Sequence, residues 1–131
     1  AFDVVGRVNG GGDVVINKLV SVNSAFNVNG SGDVKARNIV GDEVIAGVTG
    51  SGDVVLTGEC EKASLLVIGS GDVSASNLIA QDVVASVTNS GDIVCNAQRT
   101  LKAEVGGNGT LKYKGDAKIT IQGKKDSVYK L

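Results

Sequence analysis

The stretch Asn29–Val34 reads NGSGDV. Met once, glycines around a Ser and an Asp fit three uses: a phosphate cradle, a cation loop or a plain turn. Recurrence decides among them. NGGGDV stands at 9–14, TGSGDV at 49–54, IGSGDV at 68–73 and TNSGDI at 88–93. The acids Asp13, Asp33, Asp53, Asp72 and Asp92 follow one another at intervals of 20, 20, 19 and 20 residues. A degenerate sixth copy, GGNGTL, puts Thr110 in the Asp position 18 residues on, and GKKDSV, with Asp126, marks a seventh. A fixed period of this length signifies a repeat architecture. Nothing interrupts it, so residues 1–131 are expected to form a single domain.

Around each turn the apolar residues alternate. Counting back nine, seven and five residues from each Asp gives Val4-Gly6-Val8, Ser24-Phe26-Val28, Val44-Ala46-Val48, Ala63-Leu65-Val67 and Val83-Ala85-Val87. The same offsets continue as Leu101-Ala103-Val105 and Ala117-Ile119-Ile121. Just after each Asp come Val14-Ile16, Val34-Ala36, Val54-Leu56, Val73-Ala75 and Ile93-Cys95. Period-two alternation makes half-buried strands, with these positions facing inward. Between the two strands of each unit lies a corner with its own apolar residue, assigned to Leu19, Ile39, Cys60 and Leu78. A unit of this size cannot bury its inner face alone, so successive units must stack. The fold class predicted is all-β: a right-handed parallel β-helix of about 20-residue coils, six to seven in number, with a sheet spacing of ~4.8 Å between them. An up-and-down barrel would need turn signals at both ends of every strand, and only one end shows them.

Composition agrees with a narrow, stacked core. Aromatic residues make up 3% of the chain and Trp and Met are absent, so Val, Ala, Ile, Leu and Gly must fill the interior. Nineteen Gly and no Pro mean that turns depend on glycine. The net charge of −1 gives no basic surface for nucleic acid, and no apolar run is long enough for membrane insertion. Charge is nonetheless uneven. Residues 1–100 carry six Lys/Arg against eleven Asp/Glu, a net of −5, and residues 101–131 carry seven against three, a net of +4.

The turn itself is unsuited to phosphate, because a cradle of that kind opens a helix and carries no repelling Asp. Calcium needs six to eight oxygens, so one Asp per coil serves only if coils share; Asp13, Asp33, Asp53, Asp72 and Asp92 form the sole candidate ladder for Ca²⁺. The structural alternative is that each carboxylate accepts hydrogen bonds from amides of its own turn. On that reading Gly12-Asp13, Gly32-Asp33, Gly52-Asp53, Gly71-Asp72 and Gly91-Asp92 are turn pairs, flanked by Ser31, Ser51, Ser70 and Ser90. No His is present for a nucleophile pair or an imidazole ligand. The acids recur by symmetry instead of forming a distinct pair, Arg7, Arg37 and Arg99 read as solvated surface, and no catalytic residue or cofactor is expected. Cys60 and Cys95, two coils apart, are ~9–10 Å from each other, beyond disulfide reach, and are expected as buried free thiols.

The tandem GSGD[VI] turns with Val-x-Ala-x-Val strands resemble the head GIN domain family of auto-transporter adhesins. The closing segment LKAEVGGNGTLKYKGDAKITIQGKKDSVYKL at 101–131 is similar to that family's ending: a degenerate turn, a Tyr strand, a Gly corner and a last turn. The resemblance implies a right-handed β-helix in an exported, cell-surface or extracellular bacterial protein. Bactofilins, β-helices that polymerise end to end, are a looser likeness without the Gly-Ser-Gly-Asp turn. Without a leading Met or signal peptide the chain reads as a trimmed product, and it enters directly on the Val4 strand, with the family's N-terminal cap missing. The function expected is a non-enzymatic adhesion or scaffold module whose partner is a protein or a surface glycan. The column Asn9, Asn29, Thr49, Ile68 and Thr88 is a candidate binding face or a plain side-chain ladder. One alternative is head-to-tail stacking of copies into a filament through a basic end carrying Lys112, Lys114, Lys118, Lys124, Lys125 and Lys130. The other is a polysaccharide-binding or -cleaving β-helix.

Overall fold

A computed structural model describes residues 3–20, 22–123 and 128–130. Its strands are β1 (Asp3–Gly10), β2 (Val14–Ile16), β3 (Leu19–Val20), β4 (Asn23–Gly30), β5 (Asp33–Gly50), β6 (Asp53–Gly69), β7 (Asp72–Asn89), β8 (Asp92–Val105), β9 (Thr110–Lys114), β10 (Lys118–Gly123) and β11 (Val128–Lys130). Every pairing among them is parallel. The chain is an all-β parallel solenoid of about 6 turns.

The first coil shows three separate strands, and later coils run the same path with the strands merged around corners. Each coil therefore contributes to three faces. Face A is built from β1, β4, residues 43–50, 62–69, 82–89 and 100–105, and β10. Face B takes β2, then 33–36, 53–56, 72–75 and 92–96, then β9 and β11. Face C takes β3 with 39–41, 58–60, 78–80 and 96–97.

The alternating residues do face inward. Val28, Val48, Val67, Val87 and Val105 form one buried file, and Phe26, Ala46, Leu65, Ala85 and Ala103 form the next. Large and small residues alternate along that second file from Phe26 to Ala85, as a narrow core requires. Gly6 stands below Phe26, and a Cβ there would come within 3.0 Å of the ring. Among the described residues every buried side-chain polar atom has a partner.

Corners and the chain's end depart from a uniform 20-residue count. The strand register steps between Ala36 and Ile39, where the third coil is one residue shorter. Gly58, and not Cys60, therefore pairs with Ile39 and Leu78; Cys60 lies in the file Gly41-Cys60-Ala80-Ala97. The shortened corner needs φ +144 at Gly58, and a Cβ there would overlap the Ile39 backbone. In the second coil the corner is held by Asn38 at φ +55, whose Nδ2 donates to the Asn17 carbonyl at 3.0 Å; Asn tolerates this left-handed region better than most residues. At the far end Ile119 pairs with Leu101 and Ile121 with Ala103. The expected match of Ala117-Ile119-Ile121 to Leu101-Ala103-Val105 is thus displaced by two residues. Thr110 does occupy the Asp92 register, whereas Asp126 lies outside the described residues.

Candidate functional site

The repeated turn is a coil-to-coil staple. The carbonyl of Gly10 accepts the N–H of Ser31 at 3.1 Å and of Gly32 at 2.9 Å; Gly30 accepts Ser51 and Gly52, and Gly50 accepts Ser70 and Gly71. The first glycine of each of the first four turns has a left-handed backbone: Gly10, Gly30, Gly50 and Gly69 have φ between +86 and +114. The second glycine is needed for space. A Cβ on Gly32 would overlap the Gly12 carbonyl and Val8 Cγ1, and Gly52, Gly71 and Gly91 meet the coil below in the same way. Gly12, in the first described coil, has nothing within 4 Å.

The Asp residues do not bond to their own turns, contrary to expectation. Asp13 Oδ1 accepts the N–H of Asp33 at 3.2 Å, and the pattern repeats from Asp33 to Asp53, Asp53 to Asp72 and Asp72 to Asp92 at 3.2–3.3 Å. The reason is local. The Ser and Gly amides are already taken by the glycine carbonyl of the coil below, so the amide left to satisfy is the next Asp's own. Stacking like charges has a cost. Burial pushes the Asp72 carboxyl above its ordinary range, the Asp92 and Asp53 carboxylates add to this, and the Asp92 N–H opposes it. Among the described residues no three His, Cys, Asp or Glu side chains converge as a metal site. The serines of the turn are exposed.

Arg99 lies on the solvated surface, as read, and there it is paired. Its Nε and Nη2 donate to the two carboxylate oxygens of Asp82, and Nη2 also reaches Glu61 Oε1 at 3.0 Å, so one guanidinium ties three successive coils. Thr100 Oγ1 donates to Asp82 Oδ1 at 2.6 Å. Hydrogen bonds from Arg99 and Thr100 draw the Asp82 carboxyl down to about 2. This cluster caps the charged corner file Glu43-Lys62-Asp82-Thr100. Cys60 and Cys95 are buried free thiols, each pushed up to about 12 by burial, with Glu61 adding to the effect at Cys60. Such thiols are unreactive at neutral pH.

Elsewhere on the outer surface of face A, Asn9, Asn27, Asn29 and Thr49 have no side-chain hydrogen bond to another described residue. The file Asn9-Asn29-Thr49-Ile68-Thr88 is in register, and beside it runs Arg7-Asn27-Gly47-Leu66-Ser86. A depression of about 300 Å³ lies across them, lined by Asn9, Asn27, Asn29, Gly47, Thr49 and Leu66, with Arg7 at one end. On the same face Ile45, Leu66, Ile68 and Val84 are exposed, each by 40–49%. Gly47 and Leu66 were not singled out by the sequence; the only signal was a glycine within an outward-facing strand position. Of the basic-end lysines, Lys112 and Lys118 are exposed and Lys114 is half-buried. Lys124 and Lys125 lie outside the described residues, as does the Lys130 side chain.

The sequence matches, over residues 6–117, the family described as "Putative auto-transporter adhesin, head GIN domain". The chain belongs to the head GIN domain family. Solved structures similar to this GIN domain include a "putative adhesin" from Parabacteroides distasonis ATCC 8503, with a TM-score of 0.94 and 25% identity over 98% of this chain and 56% of that one. A second, a "putative lipid binding protein" from the same organism, has a TM-score of 0.76 and 28% identity over 98% of this chain and 60% of that one. A third, a "putative adhesin" from Bacteroides fragilis NCTC 9343, has a TM-score of 0.75 and 32% identity over 95% of this chain and 56% of that one. The GIN domain thus spans little more than half the length of these proteins. No curated protein matches it. Among the described residues no helix is long and apolar enough to cross a membrane.

Proposed function

We propose that this chain is a non-enzymatic, surface-exposed adhesion module that engages its partner through the outer side of face A. The observation that carries this reading is the division of labour among the side chains. The repeated acids of the turn are bonded to the next coil and the Arg99 cluster is paired, while Asn9, Asn27, Asn29 and Thr49 on face A make no side-chain hydrogen bond to another described residue. Membership of an adhesin-named family, with two adhesin-named structural neighbours, supports the same reading and favours an exported or cell-surface setting.

Beads coated with residues 1–131 test it. They should adhere to bacterial or epithelial surfaces saturably, and excess soluble domain should compete them off. Adhesion no greater than that of albumin-coated beads would remove the proposal. The opposed charges of residues 1–100 and 101–131 favour a second arrangement, copies stacked end to end as a scaffold. Sedimentation at low and high salt tests this, and a monomer under both conditions rejects it.

A further inference from the structure

Gly47 is a glycine without a local reason. Its φ lies outside the left-handed region, and a Cβ there would meet only Asn27 Oδ1, at 3.0 Å, the far end of a side chain that can turn away. A glycine inside a strand weakens it and marks places where something approaches the backbone closely. Here it opens the floor of the depression on face A, between Asn27 on one coil and Leu66 on the next.

The lining has a definite chemistry. Asn9, Asn27 and Asn29 present carboxamides, each both donor and acceptor, with no side-chain hydrogen bond to another described residue. Thr49 adds a hydroxyl. Leu66 and Ile68 form an apolar ridge beside them, 41% and 40% exposed. No acid lines the depression, and Arg7 is its single charge. An anionic or cationic ligand would therefore find little to neutralise it. A lipid tail would need an enclosed apolar pocket, and a protein anchor would need a deep socket for an aromatic residue or Arg. A neutral sugar fits better: its hydroxyls both donate and accept, and its C–H face packs on aliphatic side chains. The volume of about 300 Å³ is at the lower end for ligand sites, and the files repeat at sheet spacing, so a chain of sugar units can extend across coils.

We propose that the Gly47 depression binds a neutral glycan chain, with the Asn9, Asn27 and Asn29 carboxamides reading its hydroxyls and Leu66 packing on a ring face. This rests on the adhesion reading above and specifies its ligand. The test is calorimetric titration of residues 1–131 with maltohexaose, cellohexaose, mannohexaose and chitohexaose, beside phosphatidylcholine vesicles as the lipid arm. At least one oligosaccharide should bind. Gly47→Val, which fills the floor with a residue that favours strands, and Asn27→Ala, on an exposed side chain, should each weaken it by about tenfold or more. Lys35→Ala on face B should leave it unchanged, and Gly47→Val should melt no lower than the parent. Binding of no oligosaccharide, equal binding by Gly47→Val and Asn27→Ala, or binding of vesicles alone would overturn the assignment. Coated beads that still adhere in any of those cases would leave the adhesion reading standing and remove only the glycan.

Discussion

At the scale of single residues, the two glycines of each turn act through different physics, and substitutions separate them. Gly52→Ala places a methyl against the Gly32 carbonyl and Val28 Cγ1, both fixed parts of the coil below. Overpacking against immobile neighbours should destabilise by about 3 kcal/mol. Gly12→Ala, with open space around it, should stay within about 0.5 kcal/mol of the parent. Urea denaturation midpoints measure both, and a similar loss at the two positions would contradict the steric account. The Asp following the second glycine has an opposite balance. Asp53→Ala removes the acceptor of the Asp72 N–H and should cost about 1–2 kcal/mol. Asp72→Asn keeps an acceptor oxygen for the Asp92 N–H but removes a charge flanked by two others. Because the folded-state pKa of Asp72 is raised, its ionisation opposes folding: the favourable contribution is present below its unfolded value and is lost as pH rises through the folded one. Asp72→Asn should therefore exceed the parent in stability at pH 7 by about 0.5 kcal/mol after solvent screening. The difference should close in acid, and a gap independent of pH would reject the ladder repulsion.

Among the elements, the corners separate what the sequence disclosed from what it hid. Strands and turns were legible because inward alternation and the Gly-Asp turn both recur, and parallel stacking turns a 20-residue period into register. A deleted residue shows up only as an interval of 19, and nothing in that number tells where in the coil it was lost. The apolar Cys60 consequently drew the corner assignment that belongs to Gly58, whose close approach to the Ile39 backbone needs a missing side chain instead of an apolar one. The Arg99 cluster was hidden for a related reason: Glu61, Asp82 and Arg99 are separated by 21 and 17 residues, so no local motif joins them. Their coupling is open to measurement. With Arg99 and Thr100 lowering it, Asp82 should titrate near 2 by carbon-detected NMR. Its contribution is present above the unfolded value of 3.8 and is lost as pH falls towards 2. In Arg99→Ala the Asp82 pKa should move back towards 3.8, with the Thr100 bond and the Lys62 charge still lowering it. An unchanged value would mean that the guanidinium does not hold this carboxylate in solution.

For the molecule as a whole, stacking makes stability nearly one-dimensional: each coil touches the one before and the one after, and a coil with both neighbours is held twice. Residues of β6 and β7 lie between paired coils on both sides, whereas β1 and β11 pair on one side only among the described residues. The proposed binding at the Gly47 depression is compatible with this architecture, because the side chains that line it are not those that hold the stack, so affinity could change without unfolding. The core file behaves differently. Leu65 is 1% exposed in the central coil, and Leu65→Ala should cost about 2–4 kcal/mol through the lost burial and the cavity it leaves. In residues 1–131 amide hydrogen exchange should be slowest in β6 and β7 and fastest in β1 and β11. Leu65→Ala should accelerate exchange in β5, β6 and β7 before it affects β1, because the weakened interfaces are those of its own coil. Uniform acceleration from end to end would show that the solenoid unfolds as one unit and that nearest-neighbour stacking does not govern its stability.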